Sequence, residues 1–292
     1  MPVAQLTMLT MNCLGLPVPM PGLRTRLRAL GVALAGTGVD VACLQEVGQW
    51  RHLALLRQDE TIWPGTAAQI YPYAPKGGLV TLTRLAILDA HYLAFHERGR
   101  AASLHATERY QGKGCLRTTF DIEGATVVVF NTHLSANYTA SWSYTNTYAK
   151  VERAQLRELA EAIATIPRDT IVVVAGDFNV PRGSWLYDEF VAATGVVDPL
   201  AGSTEPTYRP MIGMPARAAQ ALDHILVRAP RHLGLQAEAE LCFRRPVPLA
   251  RGATGYLSDH LGVRIALRWQ IIPPIPDVLP APNEAEAPAV PA

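Results

Sequence analysis

Residues 170–179 read Thr170-Ile171-Val172-Val173-Val174-Ala175-Gly176-Asp177-Phe178-Asn179, and this stretch sets the architecture of the chain. An unbroken run of apolar, mostly β-branched residues predicts a strand that is buried on both faces. The run ends on a glycine, a carboxylate and an amide. A buried strand with polar side chains at its end predicts a functional site at the edge of a sheet.

Similar patterns on both sides of this stretch predict an α/β domain. Apolar runs predict strands at 5–12, 39–44, 78–83, 222–227 and 262–269, and a hairpin of 116–122 and 125–131 around the turn Glu123-Gly124. Leucines and isoleucines at helical spacing predict helices from residue 23 to the glycines at 36 and 38, over 49–56, and up to Pro167. Strands that alternate with helices favour mixed sheets covered by helices.

Length and composition indicate one large domain. The chain has 292 residues, of which 49% are hydrophobic and 17% charged, so it can bury a large core. We expect a catalytic domain over 1–272 and a disordered, Pro- and Ala-rich tail over 273–292. The formal net charge of +1 gives no indication of strong electrostatic binding to a nucleic-acid backbone.

The sequence shows no pattern typical of a targeting segment or of a cysteine-based metal site. No basic N-terminal region precedes a long apolar stretch, and no run approaches the ~20 apolar residues that a bilayer span requires. The sequence therefore predicts a cytoplasmic protein without a signal peptide or transmembrane segment. The four cysteines have no paired-ligand spacing, which favours small buried thiols over disulfides or a zinc site.

Short polar motifs follow or begin most of the apolar runs, and they carry the chemistry. They are Asn12, Gln45-Glu46, Asn131-Thr132-His133, Gly176-Asp177-Phe178-Asn179, Asp223-His224 and Ser258-Asp259-His260. Carboxylate, amide and imidazole groups from several strand ends are what a metal-assisted phosphoester hydrolase needs.

Two of these motifs suit a magnesium site. Glu46, just beyond its predicted strand, offers the hard oxygen that Mg²⁺ prefers, and Asn12 can support the cation or a phosphate oxygen. Taken singly, Glu46 could equally cap the next helix, and Asn12 could be a turn residue.

The remaining motifs suit proton transfer. Asp177 and Asn179, two apart in an extended segment, can face one nucleophile, although such a turn can also be structural. Asp259 and His260 are expected to point to opposite sides, one toward a metal and one toward water, with Asp223 orienting the imidazole. His133 is a second imidazole at a strand end, whereas His224 is interpreted as structural.

No serine elbow or phosphate-cradling loop with Lys-Ser or Lys-Thr is present, and the cysteines are poor nucleophile candidates. Metal-activated water is therefore the simplest nucleophile.

Taken in order, the motifs resemble those of the endonuclease/exonuclease/phosphatase superfamily over residues 5 to 269. Within it the chain looks most like the neutral sphingomyelinase branch, because Met11-Asn12-Cys13-Leu14-Gly15-Leu16-Pro17, Lys113-Gly114 and Thr132-His133-Leu134 are similar to segments of that branch. The resemblance implies a four-layer α/β/β/α sandwich with two packed mixed β-sheets.

The resemblance also implies roles. Glu46 would be the principal Mg²⁺ ligand, with Asn12 and Asp259 near the metal or phosphate and Mn²⁺ as an alternative ion. His260, oriented by Asp223, would deprotonate water that Asp177 and Asn179 position. His133 would stabilise the phosphoryl oxygens or assist the leaving group.

The segment 135–149 is predicted to set substrate choice, because it follows His133 and contains Tyr138, Trp142 and Tyr144. Its aromatics could lie in a membrane interface, stack on a base, or simply pack on the next helix. The expected function is a metal-dependent phosphodiesterase, with a phospholipid favoured over nucleic acid, transient membrane contact and a monomeric state. Rivals are a nuclease or sugar-phosphate phosphatase on the same fold, and a silent binding module. By contrast, Arg24, Arg26 and Arg28 are interpreted as the solvated face of their helix.

Overall fold

A computed structural model describes residues 3–17, 20–99, 111–210, 215–249 and 252–270. Two large sheets dominate these residues. The first sheet has the order β10-β13-β1-β2-β4-β3 and the second has the order β5-β6-β7-β8-β9. The first is built from β1 Ala4–Gly15, β2 Val41–Val47, β3 Gly65–Ala67, β4 Val80–Thr83, β10 Gln236–Cys242 and β13 Gly262–Trp269.

The second sheet contains the apolar run of residues 171–175. Its strands are β5 Asp89–Ala94, β6 Gly114–Ile122, β7 Ala125–His133, β8 Ile171–Asp177 and β9 Asp223–Arg228, and a small separate ladder joins β11 Val247–Pro248 to β12 Thr254–Gly255. Strands β1 and β2 are parallel, as are β7 and β8, while the other pairs are antiparallel. Both large sheets are therefore mixed, as predicted.

The alternation of side chains along β8 shows how the layers are held together. Ile171, Val173 and Ala175 face the first sheet in a shared core, whereas Val172 and Val174 pack against helices on the other side. Burial of each such side chain stabilises the fold by roughly 1.5–3 kcal/mol. This double burial explains why the strand is apolar at consecutive positions.

Helices cover the outer face of each sheet. The helices α1 Leu23–Gly36 and α2 Trp50–Arg57 pack on the first sheet, and α3 Thr147–Ala164 and α4 Trp185–Thr194 pack on the second. The Asn146 side chain caps α3 by accepting from the backbone N–H groups of Tyr148 and Ala149. The layers run helix, sheet, sheet, helix, which confirms the predicted four-layer sandwich.

The predicted elements are present, with shifted ends. The strand at 39–44 extends to Val47, so Glu46 lies inside β2 rather than beyond it, and β8 likewise includes Asp177. The turn Glu123-Gly124 joins β6 and β7 with positive φ at both residues, as the hairpin prediction requires. Helix α4 and strands β3, β5 and β10–β12 were not predicted.

Three further predictions concern the whole chain. The cysteines are free thiols, and Cys13, Cys43 and Cys115 are buried. Among the described residues, no helix is both long and apolar enough to span a membrane. The tail predicted over 273–292 lies outside the described residues, and the division at 272 stays a prediction.

Candidate active site

The polar motifs converge at one edge of the sandwich, where the two sheets meet. A cavity of about 380 Å³ is lined there by both sheets. Parallel pairing aligns the ends of β1 with β2 and of β7 with β8, which brings residues distant in sequence to this edge. The predicted site residues that line the cavity are Glu46, His133, Tyr138, Trp142, Asp177, Asn179, Asp259 and His260.

Asn12 joins the two sheets beneath this cavity. Its side-chain amide donates to Glu46 Oε1 at 3.1 Å and to Asp177 Oδ2 at 2.9 Å, while its own oxygen accepts from the backbone N–H of Leu14 at 2.9 Å. Asn12 is buried, so these bonds hold it in one orientation. One amide thus fixes a carboxylate from each sheet.

The dyad of His260 and Asp223 is fully formed. His260 Nδ1 lies 2.8 Å from Asp223 Oδ2, and His260 Nε2 lies 3.7 Å from Asp177 Oδ2. Burial alone would lower the pKa of His260, but the carboxylates of Asp223 and Asp177 outweigh it and raise that pKa well above its usual value. The imidazole is therefore held in one orientation, and the neighbouring carboxylates favour its protonated form.

His133 has the opposite electrostatic character. Burial, the Lys113 ammonium and the charge on His260 lower the pKa of His133 well below its ordinary value, so its imidazole is neutral. Its Nε2 lies 3.5 Å from Asp177 Oδ2. The two histidines flank one carboxylate, and the difference in pKa suits them to different roles.

The backbone is strained where the site is built. Three residues of the site have φ in the left-handed region, which residues other than glycine seldom adopt. They are Leu14, Glu46 and Asn179, with φ of 45°, 55° and 52°. The positive φ of Asn179 means that residues 177–179 are not an extended segment, which differs from the prediction. Instead the Asn179 backbone N–H donates to Asp177 Oδ1 at 2.9 Å, and its side chain donates to the Leu134 carbonyl at 3.0 Å.

The segment that carries Asp259 and His260 is also irregular. The Ser258 hydroxyl donates to the Asn12 carbonyl at 2.8 Å and accepts from the His260 backbone N–H at 3.2 Å. This segment is not a regular strand, and Asp259 and His260 both line the cavity. The expectation that their side chains point to opposite sides stays a prediction.

Arg26 corrects a second prediction. Its guanidinium is not on a solvated face, because it donates to the carbonyls of Cys13, Leu14 and Leu257 at 2.8, 2.5 and 2.6 Å. It therefore ties the end of β1 to the segment that leads into Ser258.

The aromatic segment divides into two parts. Tyr138 and Trp142 line the cavity, and the Trp142 indole N–H donates to the Asn179 carbonyl at 3.2 Å. Tyr144 stacks on Trp185 at a centroid distance of 4.2 Å and is not among the residues that line the cavity. Its predicted contact with substrate has no support from this position.

His224 supports the site from behind, in line with its structural interpretation. Its Nε2 lies 2.9 Å from the Val180 carbonyl, and its Nδ1 lies 3.3 Å from an Arg182 guanidinium nitrogen. Arg182 in turn pairs with Asp198 at 2.6 Å. This buried network holds the chain that follows Asn179.

Some groups of the site are suited to a cation. Glu46 Oε2 is buried without a hydrogen-bond partner among the described residues, and burial raises the pKa of Glu46 despite the opposing charge of Lys113. Such an unpartnered oxygen, beside the amide of Asn12 and near Asp259, fits a hard divalent ion. Ligand atoms of Asp177, Asp223 and His260 also lie within 4.8 Å of one another, but Asp223 Oδ2 is already bonded to two groups.

Sequence reasoning missed Thr207 and Lys113 as parts of this site. The Thr207 hydroxyl donates to Asp223 Oδ2 at 2.6 Å, and the buried Lys113 ammonium lines the cavity and donates to the Leu134 carbonyl at 3.2 Å. Thr207 lies in an irregular loop without a local signal. For Lys113, the similarity of Lys113-Gly114 to a segment of the family was the one sequence feature that could have indicated a place in the site.

The fold and the polar cavity define a class of α/β protein in which two packed sheets contribute side chains to one polar site. The profile of the Endonuclease/Exonuclease/phosphatase family matches residues 9–260, and the chain belongs to this family.

Two curated relatives give the family context. The chain is 25% identical over 274 residues to the "Putative neutral sphingomyelinase" of Drosophila melanogaster, covering 90% of this chain and 61% of the relative. It is 26% identical over 196 residues to the "Inositol phosphosphingolipids phospholipase C" of Schizosaccharomyces pombe, covering 66% of this chain and 45% of that relative. The chain thus spans about half to three-fifths of the length of these relatives.

Solved structures share the fold. Sphingomyelinase C from Streptomyces griseocarneus superimposes with a TM-score of 0.68 at 20% identity, covering 90% of this chain and 99% of that one. TDP2 of D. rerio, complexed with a single-strand DNA product, gives a TM-score of 0.65 at 20% identity. The match covers 90% of this chain and 98% of that one. At these identities the similarity concerns the fold alone.

Proposed function

We propose that this chain is a Mg²⁺-dependent phosphodiesterase that hydrolyses a phospholipid of the sphingomyelin type by attack of water. The observation that carries the proposal is one cavity containing a His260–Asp223 dyad, a second carboxylate at Asp177 and an unpartnered oxygen on Glu46. A silent binding module has no need for this combination of a proton-transfer pair and an unsatisfied buried carboxylate.

His260 is the general base in this proposal. Asp223 holds Nδ1, so Nε2 is the nitrogen that accepts the proton of water when the imidazole is in its neutral form. His260 Nε2 and Asp177 Oδ2 lie 3.7 Å apart, so one water molecule beside them can contact both groups. Asn179 positions Asp177 through its backbone N–H, and the neutral His133 donates to a phosphoryl or leaving-group oxygen.

Glu46, Asn12 and Asp259 are the residues proposed to hold the cation, with Mn²⁺ as an alternative to Mg²⁺. When bound, the ion supplies charge stabilisation to the phosphoryl oxygens. Lys113 adds a fixed positive charge beside the same cavity.

A lipid substrate is supported by the two sphingolipid-related names among the relatives and by the apolar rim of the cavity. Tyr138 and Trp142 on the substrate-facing wall suit a bulky headgroup or chain. A formal net charge of +1 gives little attraction for a long nucleic acid.

The test is a substrate panel of sphingomyelin, plasmid DNA and phosphoinositides, each with Mg²⁺ and with chelator. We expect chelator-sensitive release of the sphingomyelin headgroup, and DNA cleavage alone would overturn the lipid assignment. His260→Ala should lower the rate by ~10² to 10⁴-fold, as loss of a general base does. Glu46→Gln should weaken the Mg²⁺ titration, and an unchanged titration removes Glu46 from the cation site.

A further inference from the structure

A cluster of large apolar side chains is exposed in the loop between β3 and β4. In the 69–75 loop, Ile70 is 80% exposed, Tyr73 is 85% exposed and Tyr71 is 45% exposed. Proteins seldom present adjacent side chains of this kind to water unless the surface binds something. The loop is ordered by its own backbone, because the Lys76 N–H donates to the Gln69 carbonyl at 2.9 Å and Ile70 bridges to Pro75.

The 69–75 loop lies at the catalytic edge of the sandwich. It leads directly into the turn Lys76–Gly78, where a side chain on Gly78 would come within 3.2 Å of the Glu46 Cα atom. The base of the loop is therefore packed against the residue proposed to hold the cation.

Hydrogen bonds connect the loop to the mouth of the cavity. The Trp50 indole N–H donates to the Tyr71 carbonyl at 3.0 Å, and the neighbouring Gln49 amide donates to the Pro17 carbonyl at 3.2 Å. The segment that ends at Pro17 contains Leu14 and Leu16, which line the cavity. Hydrogen bonds thus link the 14–17 segment, residues 49–50 and the 69–75 loop into one strip that starts at the cavity.

The charged residues of this strip are all basic. Residues 14–17, 49–52 and 69–76 include Arg51 and Lys76 but no carboxylate, and no Asp or Glu occurs anywhere from 61 to 88. A surface that combines Tyr and Trp with an aliphatic tip and a few basic groups has the composition of a membrane-interface anchor.

We propose that residues 69–75, together with Trp50 and the 14–17 segment, form the surface by which this protein docks on a lipid bilayer. Ile70 enters the acyl boundary and Tyr71 and Tyr73 lie at headgroup level, which places the cavity mouth over the membrane. This inference deepens the proposed function and rests on its lipid substrate. A second copy of the chain fits less well, because a stable interface needs roughly 20–30 residues from each partner and the loop offers a few projecting side chains.

The test compares the variant Ile70→Ser/Tyr73→Ser with the wild type in co-sedimentation on vesicles of sphingomyelin and phosphatidylcholine. Chelator is present, so that binding is measured without turnover. We expect the partition coefficient of the variant to fall about tenfold or more. Leu88→Ser is the matched control, because Leu88 is 63% exposed beside the end of β5 that lies away from the site, and it should bind like the wild type.

Turnover of a water-soluble chromogenic phosphodiester, measured with Mg²⁺, should be equal in the wild type and the variant, which shows that the fold and site are intact. Equal vesicle binding by the two proteins, or no vesicle binding by the wild type, would overturn the inference. A change of oligomeric state in sedimentation equilibrium with unchanged vesicle binding would also overturn it. Loss of vesicle binding in the variant, together with absence of lipid hydrolysis by the wild type, would retain the docking surface and reject the proposed function.

Discussion

The hydroxyl of Thr207 is the clearest case of a single side chain that acts through another. It donates to Asp223 Oδ2, the oxygen that also contacts His260 Nδ1, and it accepts from the backbone N–H groups of Leu222 and Asp223 at 2.9 and 3.0 Å. Thr207 is a positioning residue, because it orients the carboxylate that orients the imidazole.

Replacing Thr207 by valine should reduce kcat about tenfold with little change in KM, since a charge-assisted hydrogen bond contributes ~1.5–3 kcal/mol. Thr207→Ser keeps the hydroxyl and should restore most of the activity. Steady-state kinetics of the three proteins measure this effect, with circular dichroism confirming that all are folded. A serine variant as impaired as the valine variant would show that the methyl group matters rather than the hydrogen bond.

His224 makes folding sensitive to acid. Burial and the nearby Arg182 guanidinium lower the pKa of His224 to about 4, whereas the pKa of a histidine in the unfolded chain is ~6.5. Between these values the unfolded chain binds more protons than the native protein, so the free energy of unfolding decreases as the pH falls from about 6.5 to about 4.

The expected contribution of His224 is up to about 3 kcal/mol across that window. Urea unfolding of the metal-free protein at a series of pH values measures it, and His224→Gln should flatten the curve between pH ~4 and ~6.5. His232→Gln, at an exposed histidine, is the control for the substitution itself. A His224→Gln curve that is parallel to the wild-type curve would contradict the assignment.

At the scale of elements, β7 and β8 leave no room for a side chain at Gly176. Gly176 has φ of 151°, and a Cβ atom there would lie 1.9 Å from the Thr132 carbonyl oxygen. Thr132 is the paired residue of Gly176 in the parallel ladder, so neither strand can move without breaking the register that brings His133 opposite Asp177.

Gly176→Ala should therefore destabilise the protein by about 3 kcal/mol or more, at the upper end of single substitutions. Gly195→Ala is a suitable comparison, because Gly195 also has positive φ, 68°, but open space around its Cβ position, and should cost only about 1 kcal/mol. Chemical denaturation of both variants gives the difference. Equal losses would show that backbone conformation alone explains the glycine.

The elements also show what pattern reading can and cannot recover. Long apolar runs such as β8 and the spaced leucines of α1 were predictable, because burial imposes a period on them. The three residues of β3 and the half-exposed β10 were missed, because short or edge strands bury little and leave a weak pattern. The predicted strand ends stopped short at Glu46 and Asp177, because a hydropathy pattern ends where polar residues begin although the backbone pairing continues.

For the molecule as a whole, two amides link the sheets inside the core. Gln45 Nε2 donates to Asn131 Oδ1 at 2.8 Å, and Asn131 Nδ2 donates to the Val80 carbonyl at 2.9 Å. Both side chains are buried. Polar pairs of this kind fix how one sheet sits on the other, which apolar contacts alone do less specifically.

A double-mutant cycle on Gln45→Leu and Asn131→Leu should show this coupling. Each single change leaves buried polar groups unsatisfied and should cost about 1–3 kcal/mol. The double variant should lose less than the sum of the two, by about 1 kcal/mol, as judged by urea unfolding. Additive losses would mean that the two amides act independently.

The sequence allowed the set of site residues to be proposed, but not their geometry. Order along the chain and family resemblance pointed to Glu46, Asp177, Asp223 and His260. The contact of Asn12 with carboxylates from both sheets, and that of Thr207 with Asp223, join residues that lie far apart in sequence or in an irregular loop. Such contacts depend on tertiary packing, and no local pattern encodes them.

The order of the strands has a consequence for synthesis. Among the described residues, β1 to β4 of the first sheet precede the five strands of the second sheet, and β10 and β13 of the first sheet follow them. His260 thus leaves the ribosome after its partners Asp177 and Asp223. A nascent chain therefore carries an incomplete centre until the closing strand docks, and any fragment that stops before β13 would be expected to be inert toward phosphoesters.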